Sequence, residues 1–180
     1  MISWDKYFMS MAYLVAMRSK DQSTHIGAVV IDEDKRVRAT GYNSFCSGID
    51  DEVPERQSRE GGEKYYWFEH AERNCCYSAA MAGVPLKGCT MYTPGLPCMD
   101  CARGIVQSGI KKVVIHGAWS EDQTAMIDGE DQRPDGAGNI WDDHAKRSLT
   151  LFKESGVEVF IYRGETITEI ITMQRGEPVF

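Results

Sequence analysis

The sequence predicts an α/β domain built as a three-layer α/β/α sandwich, with a mixed five-stranded sheet between layers of helices. Three observations predict it. Apolar patterning runs in the order helix, strand, strand, helix, strand, helix, strand, helix, strand. A short polar connection joins the first two strands, which makes them an antiparallel hairpin. The later strands alternate with helices, which calls for parallel pairing through right-handed crossovers.

Each element has its own signal. From Ser3 to Lys20, Phe8, Met11, Ala12, Val15 and Ala16 recur at helical spacing, with Ser3 as N-cap and Asp5 in the first turn. Val29 to Ile31 belong to an apolar run that starts at Ile26 and stops at Asp32-Glu33-Asp34, as a buried strand does. Arg36 to Tyr42 alternates Val37 and Ala39 against Arg36, Arg38 and Thr40 and forms the second strand. Asn43 to Tyr65 is polar and carries Gly48, Pro54, Gly61 and Gly62, so a long loop with at most a short helix is expected. Loops of that length are functional or packed at an interface. Tyr65-Tyr66-Trp67-Phe68 would anchor its end in the core.

Glu69 to Ala82 reads as a helix stopped by Gly83 and Pro85. Cys89 to Tyr92 is strand-like, and Cys98 to Ser108 is a helix opened by Pro97 and closed by Gly109. Lys112 to His116 is a buried strand, Ile140 to Glu154 a helix stopped at Gly156, and Val157 to Tyr162 the last strand. Ala118 to Gly138 is acidic and without periodicity, so it reads as a loop. The expected organisation is one domain over residues 1–165, with an insertion at 118–138 and an extension at 166–180. In the extension Ile167, Ile170 and Ile171 form an apolar patch, either one more short element or an arm that docks on a neighbouring subunit.

With 42% hydrophobic residues in 180, the chain can bury a sizeable core, and global disorder is excluded. A net charge of −7 argues against affinity built on neutralising a long phosphate backbone, so no nucleic-acid partner is expected. A small nucleotide, whose phosphate needs only a few local donors, stays open. No apolar run reaches the roughly 18 residues of a membrane span, and the N-terminus has no secretory pattern. Six cysteines in such a chain read as reduced thiols and a metal site, and a cytoplasmic location is expected.

The chemistry gathers in His70-Ala71-Glu72 and Pro97-Cys98-Met99-Asp100-Cys101. This H-x-E … P-C-x-x-C order is the pattern of zinc deaminases that act on nucleobases. Cys98 and Cys101, three apart on a helical turn, can turn both sulfurs to one point, and the helix N-terminus favours their thiolates. His70 completes three protein ligands for one Zn2+ per chain, which leaves a fourth position for water. Glu72 lies close to the metal without ligating it, as a proton carrier must. Backbone N–H groups near Ala71 and Cys98 would orient the substrate carbonyl and the attacking oxygen. A zinc knot completed by Cys75 or Cys76 is disfavoured, because those residues sit more than a turn down the helix. His25, His116 and His144 are isolated and read as packed or solvated, and Cys46 and Cys89 as buried small residues. Glu121-Asp122 and Glu130-Asp131 read as solvated loop, and Asp142-Asp143 as an exposed helix face.

With these motifs in place, the chain resembles the deoxycytidylate deaminase family of the cytidine deaminase-like superfamily. The likeness includes Trp4-Asp5, Phe8, Ser19-Lys20-Asp21, Ser23-Thr24-His25-Ile26-Gly27-Ala28-Val29 and Gly41-Tyr42-Asn43. It continues through Lys64-Tyr65, His70-Ala71-Glu72-Arg73-Asn74, Pro97 to Ala102 and Gln107-Ser108-Gly109-Ile110, and covers about residues 4 to 116. It implies that His70, Cys98 and Cys101 bind zinc, that Glu72 shuttles protons, and that Asn43 binds the sugar hydroxyl. It implies that Thr24 lies near the 5′-phosphate, that Trp119 covers the base, and that the chain forms a homo-oligomer, dimer or hexamer.

The resemblance implies hydrolytic deamination of dCMP to dUMP. Alternatives are another nucleotide, a nucleoside or a modified base as substrate, a nucleic-acid-editing deaminase, or a zinc module in which Glu72 is dispensable. The sequence departs from the family after Asn43, where Ser44, Phe45 and Cys46 replace the turn that takes part in binding dCTP and dTTP in regulated relatives. It departs again at Cys75-Cys76, where small or aliphatic residues are usual.

Overall fold

The computed structural model describes residues 1–129, 140–167, 172–174 and 177–179. Helix α1 (Trp4–Ala16) is capped by Ser3, whose Oγ accepts the Lys6 N–H at 3.2 Å. Strands β1 (Gly27–Ile31) and β2 (Val37–Tyr42) follow as the expected antiparallel hairpin. The polar segment after β2 holds a short strand β3 (Ser44–Phe45) and two 3-10 turns, Pro54–Gln57 and Glu60–Gly62. It ends in helix α2 (Lys64–Trp67) and strand β4 (Phe68–Glu69), which pairs with β3. Helix α3 (Ala71–Met81), strand β5 (Thr90–Tyr92), helix α4 (Met99–Gln107) and strand β6 (Lys112–His116) come next. Helices α5 (Glu121–Asp128) and α6 (Ile140–Ser155) precede strand β7 (Glu158–Tyr162). Strands β8 (Thr172–Gln174) and β9 (Glu177–Val179) form a separate antiparallel pair.

The main sheet has the order β2-β1-β5-β6-β7. β1 runs antiparallel to β2 and β5, while β5, β6 and β7 are parallel, so the sheet is mixed as predicted. Every residue of β1 is buried, because helices cover both faces. Its period of two divides the core. Val29 and Ile31 meet Phe8, Met9 and Ala12 of α1, with Tyr92 and Val114 beside them. Ala28 and Val30 face the larger cluster, which includes Ala71, Cys75 and Ala79 of α3, Ile105 of α4 and Phe152 of α6.

Two glycines set how closely the helices approach. A Cβ on Gly27 would lie 2.1 Å from the Ala12 carbonyl oxygen, so β1 touches the backbone of α1. A Cβ on Gly41 would lie 2.3 Å from the Cys75 nitrogen and 2.5 Å from the Ala71 carbonyl oxygen. Gly41 thereby fixes the first turn of α3 against β2. No described helix is long and apolar enough to cross a membrane.

The insertion is not all loop. Helix α5 fills residues 121–128, with Ser120 Oγ accepting the Gln123 N–H and Gly129 closing it at φ 76°. Its sequence, Glu-Asp-Gln-Thr-Ala-Met-Ile-Asp, bunches its apolar residues at one end, so no helical apolar period shows, and Met126 alone is buried. Glu130-Asp131, Ile170 and Ile171 lie outside the described residues.

Gly41→Ala is expected to lower stability by about 3 kcal/mol, because backbone on α3 cannot yield to the added methyl. Gly104→Ala, inside α4 with Arg73 Cγ at 3.8 Å as its nearest contact, should raise stability by about 0.5–1 kcal/mol. Urea unfolding of the two variants beside the parent checks both signs.

Candidate active site

β2 and β5 point the same way, so the helices that follow them, α3 and α4, begin at the same end of the sheet. His70 is the N-cap of α3 and Cys98 the N-cap of α4, both with extended backbone. Neither side chain caps its own helix, which leaves both for other work. Cys98 Sγ lies 3.5 Å from His70 Nδ1. Cys101 sits in the first turns of α4, fully buried. The nitrogen and the two sulfurs all lie within 4.8 Å of one another, and among the described residues they are the group that could hold a metal. One imidazole and two thiols in this reach suit zinc, with room for a fourth, non-protein ligand. Cys75 and Cys76 are buried in the core and do not join the group, and Cys46, expected to be buried, is exposed.

Glu72, 5% exposed, stands in the first turn of α3 with Oε2 accepting from Cys101 Sγ at 3.5 Å. Burial raises its pKa above the ordinary carboxylate value. The hydrogen bond from Cys101, together with His70, lowers the Cys98 thiol to about 3, and the bond to Cys98 and burial push Cys101 up. Burial alone would lower the His70 imidazole, but the Cys98 sulfur and the Glu72 carboxylate beside it hold its pKa above the usual value. Two helix N-termini pointing at one place favour negative charge there.

The cluster opens on a cavity of about 430 Å3, within the usual range for small-molecule sites. His70, Ala71, Glu72, Cys98, Thr24, Asn43 and Trp119 all line it, while Cys101 stays behind the wall. Asp21, Arg59, Lys64 and Gln123 line it too, and none of these had been singled out in the sequence for the site. Lys64 and Asp21 stood within family motifs, but Arg59 and Gln123 lie where no periodicity or motif marks them. His144, read as isolated, reaches from α6 to accept the Met99 N–H at 3.3 Å and so closes the first turn of α4. His116, read the same way, bridges the Tyr13 hydroxyl at 2.8 Å and the Gly164 carbonyl at 2.9 Å.

Asn43 is 6% exposed and acts as a clamp. Its Oδ1 accepts the Ile26 N–H at 2.8 Å, and its Nδ2 donates to Asp21 Oδ2 at 2.9 Å and to the Thr24 carbonyl at 2.8 Å. Asp21 also receives Lys64 Nζ at 2.5 Å, and its Oδ1 accepts the Ser23 N–H at 2.8 Å. Ser23 Oγ accepts from Lys64 Nζ at 3.0 Å and from Arg59 Nη2 at 2.9 Å. The loop before β1 is thus shaped by a buried polar network. Trp119 follows β6, and a Cβ on Gly95 would lie 2.7 Å from its Nε1, so the indole rests on the Gly95 backbone.

The profile of the cytidine and deoxycytidylate deaminase zinc-binding region matches residues 2–117. The chain belongs to that family. A deoxycytidylate deaminase of Mus musculus is 40% identical over 116 residues, 63% of this chain and 64% of that protein. The chain therefore spans less than two thirds of that relative's length. An uncharacterized deaminase from the luxG 3′ region of Aliivibrio fischeri is 36% identical over 156 residues, 87% of this chain and 91% of that one. The crystal structure of dCMP deaminase from cyanophage S-TIM5, in complex with dCMP and dUMP, aligns with a TM-score of 0.61. It is 21% identical and covers 87% of this chain and 94% of that one, a likeness of fold. The fold of this deaminase-family member is the cytidine deaminase-like α/β sandwich expected from the sequence.

The network around Asp21 yields a pH test. Burial pushes the Asp21 carboxyl up, but the bonds from Lys64 and Ser23 outweigh it and hold the pKa below the ordinary 3.8. Its folded pKa is therefore below its unfolded one, and the stability it confers is present above about pH 4 and lost as pH falls through the folded pKa. Asp21→Asn, which leaves the buried Lys64 charge without its counter-charge, should cost about 3–5 kcal/mol near pH 7. The gap between variant and parent should stay level down to about pH 5 and narrow below pH 4 in urea unfolding.

Proposed function

We propose that this chain catalyses the hydrolytic deamination of a cytosine nucleotide, dCMP to dUMP with release of ammonia. The observation that carries the reading is one cavity that holds both Glu72, buried beside the His70, Cys98 and Cys101 cluster, and the basic side chains Arg59 and Lys64. The names of relatives that match this chain at 36–40% identity support the substrate.

His70, Cys98 and Cys101 would hold the zinc. Zinc, when bound there, supplies Lewis acidity that brings water to its reactive form near neutral pH. Glu72 takes a proton from the attacking water and delivers it to the ring nitrogen of the base. A second proton passes through the same carboxyl to the amine, the carbon–nitrogen bond breaks, ammonia leaves, and the water oxygen remains on carbon as the new carbonyl. Backbone N–H groups at Ala71 and Cys98, at the starts of α3 and α4, orient the base carbonyl and the incoming oxygen. Trp119 covers the base and excludes water. Asn43 keeps one lone pair on Oδ1 for the sugar hydroxyl, since both its amide protons are taken within the protein. Thr24 and Arg59 meet the 5′-phosphate, with Lys64 adding charge from behind. The enzyme works in the cytoplasm as a homo-oligomer, whose size light scattering reads directly.

The zinc-loaded protein should release ammonia from dCMP, and much less from CMP, deoxycytidine, dCTP, dAMP or a single-stranded oligonucleotide. Turnover of the oligonucleotide without dCMP would sink the reading. Glu72→Gln should keep one zinc per chain by metal analysis while kcat drops by about 10²–10⁴-fold.

Arg59 supplies a separate check on the phosphate. Arg59→Gln should lower kcat/KM for dCMP about tenfold and leave residual turnover of deoxycytidine unchanged. Equal losses on both substrates would remove Arg59 from the phosphate.

A further inference from the structure

The family profile ends at residue 117, yet the cavity wall does not. Trp119, Ser120 and Gln123 belong to the insertion and line the same space as His70 and Glu72. Their placement is locked from within. The Trp119 N–H donates to the His116 carbonyl at 3.0 Å, so the chain turns back directly after β6. Thr124 Oγ1 donates to the Gly117 carbonyl at 3.2 Å and to the Ser120 carbonyl at 2.9 Å. Ser120 caps α5 through the Gln123 N–H. The first turn of α5 is thus tied to the end of β6.

From that turn, Gln123 reaches across to the segment that presents Cys98. Its Oε1 accepts the Leu96 N–H at 2.8 Å. Only the oxygen end of a carboxamide can accept that proton, so the bond fixes which way the side chain faces. Leu96 is 8% exposed and two residues before Cys98, and its N–H would otherwise be a buried donor without an acceptor. The neighbouring Gly95 is pressed between the same two insertion residues: a Cβ there would lie 2.7 Å from Trp119 Nε1 and 3.5 Å from Gln123 Oε1. The segment Gly95-Leu96-Pro97 is therefore gripped by α5 on one side and continues into the Cys98 N-cap on the other.

We propose that Gln123 is a positioning residue, through which α5 holds the Gly95–Pro97 segment and so sets the place of Cys98 in the metal site and of the Trp119 ring over the cavity. The insertion is part of the catalytic structure, joined to it by one side-chain acceptor. Groups that hold a metal-binding residue in place from outside the metal's own ligands commonly govern metal affinity by 10–100-fold.

The kinetic arm of the test rests on the deaminase reading; the zinc arm does not. Gln123→Met keeps length and bulk but removes the acceptor, while Gln123→Glu keeps an acceptor oxygen. Both are made in the full chain, loaded with zinc, and checked for a folded melting transition. Zinc release to an excess of chelator should be about tenfold faster in Gln123→Met than in the parent. Its kcat for dCMP should fall by a similar factor, with KM changed less than twofold. Gln123→Glu should return zinc release and kcat to within about twofold of the parent. Parental zinc release in Gln123→Met would overturn the proposal. So would Gln123→Glu failing as badly as Gln123→Met, since the site would then depend on the carboxamide nitrogen. If no variant, nor the parent, turns over dCMP while the difference in zinc release persists, the deaminase reading fails and the role of Gln123 stands.

Discussion

The structure depends on two helix N-termini meeting at one point. α3 and α4 deliver His70 and Cys98 as N-caps, and the helix ends make that point favourable for thiolate and carboxylate. Sheet direction brings them there. β2, β5 and β6 share one direction, and β1 runs against them, so the chain ends of three strands and the chain start of a fourth lie along one edge. Asn43 follows β2, the Pro94–Pro97 segment follows β5, Trp119 follows β6, and Thr24 precedes β1. Ligand sites of α/β sheets form along that edge for this reason. Reversing any one of those strands would carry its residue to the far side of the molecule.

Such an edge is made of loops, and loops need their own rigidity. Here it comes from polar groups that satisfy one another. Asp21, Asn43 and Lys64 are each less than a tenth exposed, and such groups are costly to bury unless bonded. Asp21 accepts from Lys64, Ser23 and Asn43, and Asn43 spends both donors inside the network. Replacing one member strands the others, so the loop before β1 has a single stable shape. That shape places Thr24 on the cavity beside Arg59 and Lys64.

What could be read from the sequence follows from how local each cause is. The clustering of His70, Cys98 and Cys101 with Glu72 beside them was legible because a group built on two helix starts needs fixed spacing, two residues from His70 to Glu72 and three from Cys98 to Cys101. The hairpin and the buried strands were legible from their alternation and apolar runs. α5 was not, because a short, largely polar helix held by Ser120 and Gly129 has no apolar period to betray it. Arg59, Gln123 and His144 were not, because each acts through a partner distant in sequence: Ser23, Leu96 and Met99. Asn43 was placed at the site by resemblance, but its clamping bonds to Ile26, Asp21 and Thr24 needed coordinates.

The boundary of the family match divides the molecule by task. Residues 2–117 contain His70, Cys98 and Cys101, which could hold a metal, and Glu72, to which the proposed reaction assigns the proton transfer. The chain after residue 117 contributes Trp119, Ser120, Asp122, Gln123 and Asp142 to the cavity, and with them its shape. A metal and its proton carrier tolerate little change, since both must keep their reach to one reacting atom. A wall tolerates more, since it acts by contact and exclusion, and walls built on inserted segments can vary without disturbing the sheet. The separation is incomplete in this chain. The Gln123 oxygen and the His144 nitrogen both accept backbone protons from the Leu96–Met99 stretch, one from each side of Cys98. The part that shapes the cavity is therefore also fastened to the segment that carries Cys98. A change in the insertion would reach the Cys98 segment through the Gln123 bond, and a change in α6 through the His144 bond, not through the substrate alone.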